Sequence, residues 1–194
     1  MITYPLEAFL DSPLVKQKGK TSKLELQDDI IPNVYATSST PVNAVAAVGT
    51  ITSDNTAPAN GGTITIGSET WTVAASRTGA FTVAAGADGD AFLANLRTAI
   101  NTDSTLVTAG TVNTGAHTLP VTWNVKGVVG NSVVFTETCT HITINGSGVL
   151  GGTTSGVNGT VGRHNEMRWD SSYLYLCTAT NGIHDANWKK AAWV

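Results

Sequence analysis

Charge is what this sequence has least of: Asp, Glu, Lys and Arg make up 13% of its 194 residues, about half the ~25% of an ordinary soluble domain. Its surface is therefore built largely from Thr, Ser, Asn and Gly. A net charge of -3 argues against a nucleic-acid partner, because displacing counterions from phosphates takes concentrated basic charge. No apolar run approaches the roughly 18 to 20 residues that cross a bilayer, so no membrane partner is expected. The opening residues lack a basic n-region, and Pro5, Glu7 and Asp11 break their short apolar stretch, which is not the pattern of a secretory signal. Cysteine is scarce as well. Cys139 and Cys177 form no CxxC pair and are too few for a disulfide framework, so two reduced, partly buried thiols are expected.

Arrangements that carry chemistry are missing too. His117, His141, His164 and His184 are widely spaced, with no HExxH and no His/Cys pair at ligand spacing. Asp28-Asp29 and Asp88/Asp90 are paired carboxylates, but adjacent acids at a helix start are better explained by capping and the helix dipole than by catalysis. Asp88-Gly89-Asp90 is only a fragment of a calcium loop, since Ala91 and Phe92 follow where oxygen ligands are needed. The Gly-rich stretches at Gly61-Gly62, Gly127 to Gly130 and Gly151-Gly152 lack a P-loop ending and any dinucleotide-binding context, and no nucleophile elbow occurs. The glycosylation-like triplets at Asn145 and Asn158 read as turns. The expectation is a protein that is not an enzyme, with no cofactor and no metal.

What is present divides the chain into three. Five of the six prolines lie at or before Pro58, and Lys16, Lys18, Lys20 and Lys23 form the densest basic run, so residues 1–45 read as an extended arm. It carries two apolar clusters: Leu6, Phe9, Leu10, Leu14 and Val15, then Leu24, Leu26, Ile30, Ile31, Val34 and Tyr35. Spaced apolar anchors on extended chain suit strand addition or groove binding on a neighbour. They equally suit folding back on this chain's own core.

Residues 46–150 read as a compact module. Between Gly62 and Ala74 the alternation places Ile64, Ile66, Trp71 and Val73 on one face of a hairpin turned at Gly67-Ser68-Glu69. Phe92, Leu93, Leu96, Ala99 and Ile100 recur at three- and four-residue intervals, which predicts an amphipathic helix with Asp88 or Asp90 as N-cap and its end near Asn101. Short strands are predicted over 106–112, 119–126, 132–138 and 141–145, bounded by glycines. Gly146 to Gly159 reads as a linker, and within 151–194 it leads into an aromatic tail.

That tail packs Trp169, Tyr173, Tyr175, Trp188 and Trp193 into a stretch too short to hide them on a lone hairpin, which is marginal in water. Tyr173-Leu174-Tyr175-Leu176 alternates, so the tyrosines take one face and the leucines the other. Such rings serve as interface anchors or intramolecular packing, or stack on sugars. Arg163, Arg168, Lys189 and Lys190 can pair with Glu166, Asp170 and Asp185, selecting register at ~0 to 1 kcal/mol each.

Gly159 and Gly162, Glu166-x-Arg168-Trp169-Asp170, Tyr173-Leu174-Tyr175-x-Cys177-x-Ala179-Thr180-Asn181 and Trp188-Lys189-Lys190 together resemble a small C-terminal module of bacteriophage virion proteins. The middle half of the chain is similar to an α+β module of phage structural proteins in Gly61 to Gly67, Trp71 to Val73, Leu96 to Asn101, Gly127 to Ser132 and Glu137-Thr138. The resemblance implies an auxiliary capsid component, of decoration or head-fibre type, that joins the virion in the host bacterial cytoplasm. It also implies a homo-oligomer, with a trimer favoured, bound to the major capsid or other virion proteins. The expected fold is β-rich α+β: an extended N-terminal arm, a compact and mostly antiparallel β module with one amphipathic helix, and a small C-terminal β meander. The candidate interface comprises Leu14, Val15, Leu24, Leu26, Ile30, Ile31, Tyr35, Trp169, Tyr173, Tyr175, Trp188 and Trp193. Two other readings stand beside it: a tail-fibre or spike component that binds host glycan through the tail, and a polysaccharide hydrolase using Asp88 and Asp90.

Overall fold

The structure, a computed structural model, describes residues 15–17, 24–26, 36–145 and 148–192, with side chains from Ser39 onward. Among the described residues the fold is β-rich α+β with one α-helix. It forms two compact units, one of residues 44–158 and the other of 1–43 together with 159–194.

In the larger unit, strands β4 (Val48–Ser53), β9 (Thr118–Trp123), β8 (Val107–Ala109) and β11 (Ile142–Ile144) make one sheet in the order β11-β4-β9-β8. The strands β5 (Thr63–Ile66), β6 (Glu69–Ala74), β7 (Thr82–Ala84) and β10 (Phe135–Glu137) make a second, ordered β10-β5-β6-β7. The expected hairpin is β5-β6, and Ile64, Ile66, Trp71 and Val73 are all buried as its alternation requires. Strand β7 was not foreseen. It lies parallel to β6, with Thr72 opposite Thr82, and three residues are too short a run to show a period.

Helix α1 (Gly89–Asp103) is the expected helix, extended by two residues past Asn101. Asp88 is its N-cap: the carboxylate accepts a bond from Ala91 N–H at 2.8 Å, satisfying one of the helix's orphan donors. Phe92, Leu93, Leu96, Ala99 and Ile100 are buried, and each large side chain so removed from water contributes about 1.5–3 kcal/mol. They join Ile51, Leu119, Val121, Phe135 and Leu150 in one core shared by the two sheets and the helix.

The Gly-rich stretch expected to be a linker is instead held along the body. Val149 bridges Val134, Thr154 bridges Val48 and Val157 bridges Val45. Composition signalled flexibility there, but the backbone groups of 149–157 find partners on neighbouring segments, and glycine permits that close approach. At Gly156 an added Cβ would run into the Gly127 carbonyl.

The smaller unit holds a sheet ordered β14-β13-β12-β3, from β12 (Met167–Trp169), β13 (Tyr173–Cys177), β14 (Trp188–Ala192) and β3 (Ala36–Ser38). Strands β12, β13 and β14 are the expected antiparallel meander. The fourth strand comes from the other end of the chain. β3 pairs parallel with β12, Ala36 opposite Met167 and Ser38 opposite Trp169. Upstream, β1 (Val15–Gln17) pairs antiparallel with β2 (Leu24–Leu26).

Candidate functional site

The aromatic tail folds into its own small core. Cross-strand register places Arg168 and Lys190 on either side of Tyr175, with Tyr173, Cys177 and Trp188 on the same face. Tyr175, Cys177 and Trp188 are buried, and Tyr173 packs half-buried against them. The tyrosine rings lie 6.1 Å apart at 57°, within the tilted geometry aromatic pairs prefer. The opposite face carries Met167, Trp169 and Leu174, all half-buried, and the exposed Leu176.

Gly162, Glu166, Arg168, Asp170 and Asn181 of the quoted motifs each help to hold this core. Trp188 fits against Gly162 so closely that a Cβ there would overlap its ring, and its indole Nε1–H donates to Thr160 O at 2.8 Å. Arg168 lies over the Trp188 ring, its Cζ 4.9 Å from the centroid. Glu166 orients that guanidinium: one carboxylate oxygen accepts from Arg168 Nε at 2.8 Å and the other from Arg163 N–H at 2.8 Å. Glu166 is buried, and the pair of bonds satisfies the charge that burial strips of water.

Asp170 closes the β12-β13 turn by accepting from the Ser172 and Tyr173 N–H groups, both at 2.8 Å, and takes the Tyr175 hydroxyl at 2.7 Å. Those bonds favour the ionised form and hold its carboxyl down at about 2, the tyrosine hydroxyl being the largest cause. The fully buried Asn181 donates to Thr160 O at 2.7 Å and accepts from Asn187 N–H at 2.7 Å. Gly162, Glu166, Asp170 and Asn181, all within the motifs quoted from the sequence, thus organise the site together with Asn43, which the sequence does not single out and whose side-chain amide bonds both backbone groups of Trp188. Of the ion pairs expected from the sequence, Glu166–Arg168 is formed, as the sharing of a face by alternate residues of a strand allows.

Of the candidate interface residues, Tyr175 and Trp188 are spent on the unit's interior, 7% and 3% exposed, which leaves neither ring free to stack on a sugar. Trp169 and Tyr173 are half-buried. Val15 lies in β1, and Leu24 and Leu26 lie in β2. Leu14, Ile30, Ile31, Tyr35 and Trp193 lie outside the described residues.

In the larger unit the structure separates Asp88 from Asp90 by role. Asp88 caps α1, whereas Asp90 meets His117 Nδ1 at 2.9 Å. His141 Nδ1 likewise meets Asp54 at 2.8 Å, and that bond holds the Asp54 carboxyl below its usual range. Both histidines have positive φ, 51° and 65°, and their carbonyls accept from Ser53 and Asp54 N–H at the end of β4. Two of the four histidines, His117 and His141, are thus loop clasps. Cys139 and Cys177 are free and buried; burial pushes the Cys139 thiol up to about 11.

Compared with protein-family models, with curated protein sequences and with solved structures, the chain matches none.

Proposed function

We propose that the chain is a non-enzymatic structural component of a bacteriophage particle, an auxiliary capsid protein of decoration or head-fibre type attached through its N-terminal arm. The observation that carries this reading is the parallel pairing of β3 with β12. Through it the last residues of the arm become a strand of the aromatic sheet, so both ends of the chain belong to one unit and residues 44–158 are an insertion within it. A body displayed on a particle is then tethered by two covalent crossings and not by one flexible linker.

The two chain segments that make the crossings are paired with each other inside each unit. Thr160 N–H donates to Val42 O at 2.7 Å in the smaller unit, and Val157 N–H donates to Val45 O at 3.0 Å in the larger. The resemblance of the tail and of the middle module to phage structural modules supports the same assignment, as does a surface poor in charge. Assembly as a trimer would multiply individually modest arm contacts into firm attachment.

The test is removal of residues 1–35 from the chain expressed with its particle proteins, with occupancy measured by mass spectrometry of purified particles. Occupancy should collapse while the truncated chain stays folded. Normal occupancy would show that the arm is not the attachment device, and a monodisperse chain that never joins a particle would end the virion reading.

A further inference from the structure

Strand β14 forms an outer edge of the aromatic sheet. In the antiparallel ladder of β13 and β14, backbone groups alternate between facing the partner strand and facing away. Trp188 faces away: its N–H donates to Asn43 Oδ1 at 3.1 Å and its carbonyl accepts from Asn43 Nδ2 at 3.0 Å. By the same alternation Lys190 and Ala192 also present their N–H and C=O groups outward, and among the described residues nothing pairs with them. A side chain therefore seals the first position of the edge, and among the described residues the next two stay open.

The charges beside that edge are unbalanced. Lys189 and Lys190 are exposed and point to opposite faces of β14. Lys190 Nζ sits 4.4 Å from the Tyr173 ring centroid, and neither lysine meets a carboxylate among the described residues. Every acid in 159–192 is already engaged: Glu166 by Arg163 N–H and Arg168, Asp170 by Tyr175 and its own turn, and Asp185 by Gly182 N–H. A second copy of β14 would bring lysine against lysine, which opposes self-pairing.

We propose that the outer edge of β14 binds an extended acidic segment of a partner protein by strand addition. The added strand pairs with the open groups of Lys190 and Ala192, and two adjacent carboxylate side chains, one on each face, meet Lys190 and Lys189. This goes beyond attachment through the arm and does not depend on it.

The experiment uses the full chain and a fluorescein-labelled peptide of about eight residues, long enough for a strand, alternating Thr and Val around a central Glu-Glu. Fluorescence anisotropy should show binding that weakens about tenfold or more when the pair is Lys-Lys, a difference of about 1.4 kcal/mol. Lys190→Glu should invert that preference. Ala192→Pro removes an outward N–H without touching the bonds to β13, as proline is tolerated on an edge facing solvent, and should abolish binding with both lysines intact. N-methylating the peptide amides that face β14 should do the same with the protein unaltered.

Binding unchanged by Ala192→Pro and by N-methylation would mean attraction of charge alone and would overturn the proposal. So would equal affinity for both peptides, or no binding at all. A concentration-dependent dimer of the chain alone, dissolved by Ala192→Pro in sedimentation, would assign the edge to a second copy and overturn it as well.

Discussion

Asn43 and Trp188 are bonded as two paired strand residues would be, except that one partner is a side chain: the Asn43 amide gives a hydrogen bond to the Trp188 carbonyl and takes one from its N–H. These residues stand 145 positions apart, and their pairing joins the two ends of the chain within the smaller unit. Asn43→Ala leaves both Trp188 groups without those bonds, and we expect a loss of about 1–3 kcal/mol. Hydrogen exchange at the Trp188 amide should accelerate accordingly, while amides of the β4-β9 ladder keep their protection.

Gly162 is glycine because of Trp188. A methyl group at 162 would overlap the indole and come within 3.1 Å of Cys177 Sγ. Overpacking of this kind costs typically about 1–3 kcal/mol, so Gly162→Ala should lower the denaturant midpoint of the smaller unit. Gly79→Ala is the control. Nothing lies within 4 Å of a Cβ there, and the substitution should be neutral or stabilising by up to about 1 kcal/mol through the unfolded state.

Acid should loosen the β12-β13 turn. The Asp170 carboxyl is held at about 2 by the Tyr175 hydroxyl and by backbone N–H groups. A folded value below the unfolded one means that the contribution is fully present above pH ~4 and is lost as pH falls towards 2. Tyr175 is pushed upward by the same bond, so its contribution holds below pH ~10 and is lost in alkali. Melting temperature recorded from pH 5 to 2 should fall less steeply in Asp170→Asn than in the parent. An unchanged slope would show that the turn does not depend on that charge.

Asp88 and Asp90 should separate in a stability assay. Asp88→Ala removes the helix cap and should cost about 1 kcal/mol. Asp90→Ala removes a partly exposed partner of His117 and should cost less, within the ~0 to 1 kcal/mol of surface pairs. Chemical denaturation of the two variants side by side distinguishes them.

The larger unit was the more legible part of the sequence because its signals are local. Period-two alternation in 62–74 and helical spacing from Phe92 to Ile100 each place side chains on one face without reference to distant residues. Strand ends were less legible. The stretch read as a strand from Ser132 begins at the end of a 3-10 turn, and its ladder with β5 covers only Phe135–Glu137, because pairing ends where a partner does and the partner is elsewhere in the chain.

The tail's rings were visible, but what they do was not. Tyr175 and Trp188 face inward because Gly162 leaves room, because Asp170 and Thr160 O accept their polar hydrogens, and because Arg168 lies over the indole. None of those distances is encoded by neighbouring residues alone.

By itself the sequence determined a β-rich chain with one amphipathic helix and a crowded aromatic end, since periodicity and composition act over a few residues. Only the tertiary structure decided that Ala36–Ser38 joins the sheet of the aromatic tail, that 149–157 is paired along the larger unit, and that among the described residues the outer edge of β14 stays open beyond Trp188. The first two are pairings between segments far apart along the chain, and the third is a place where no such pairing is made. Such pairings are set by which backbone groups find partners once the core has formed.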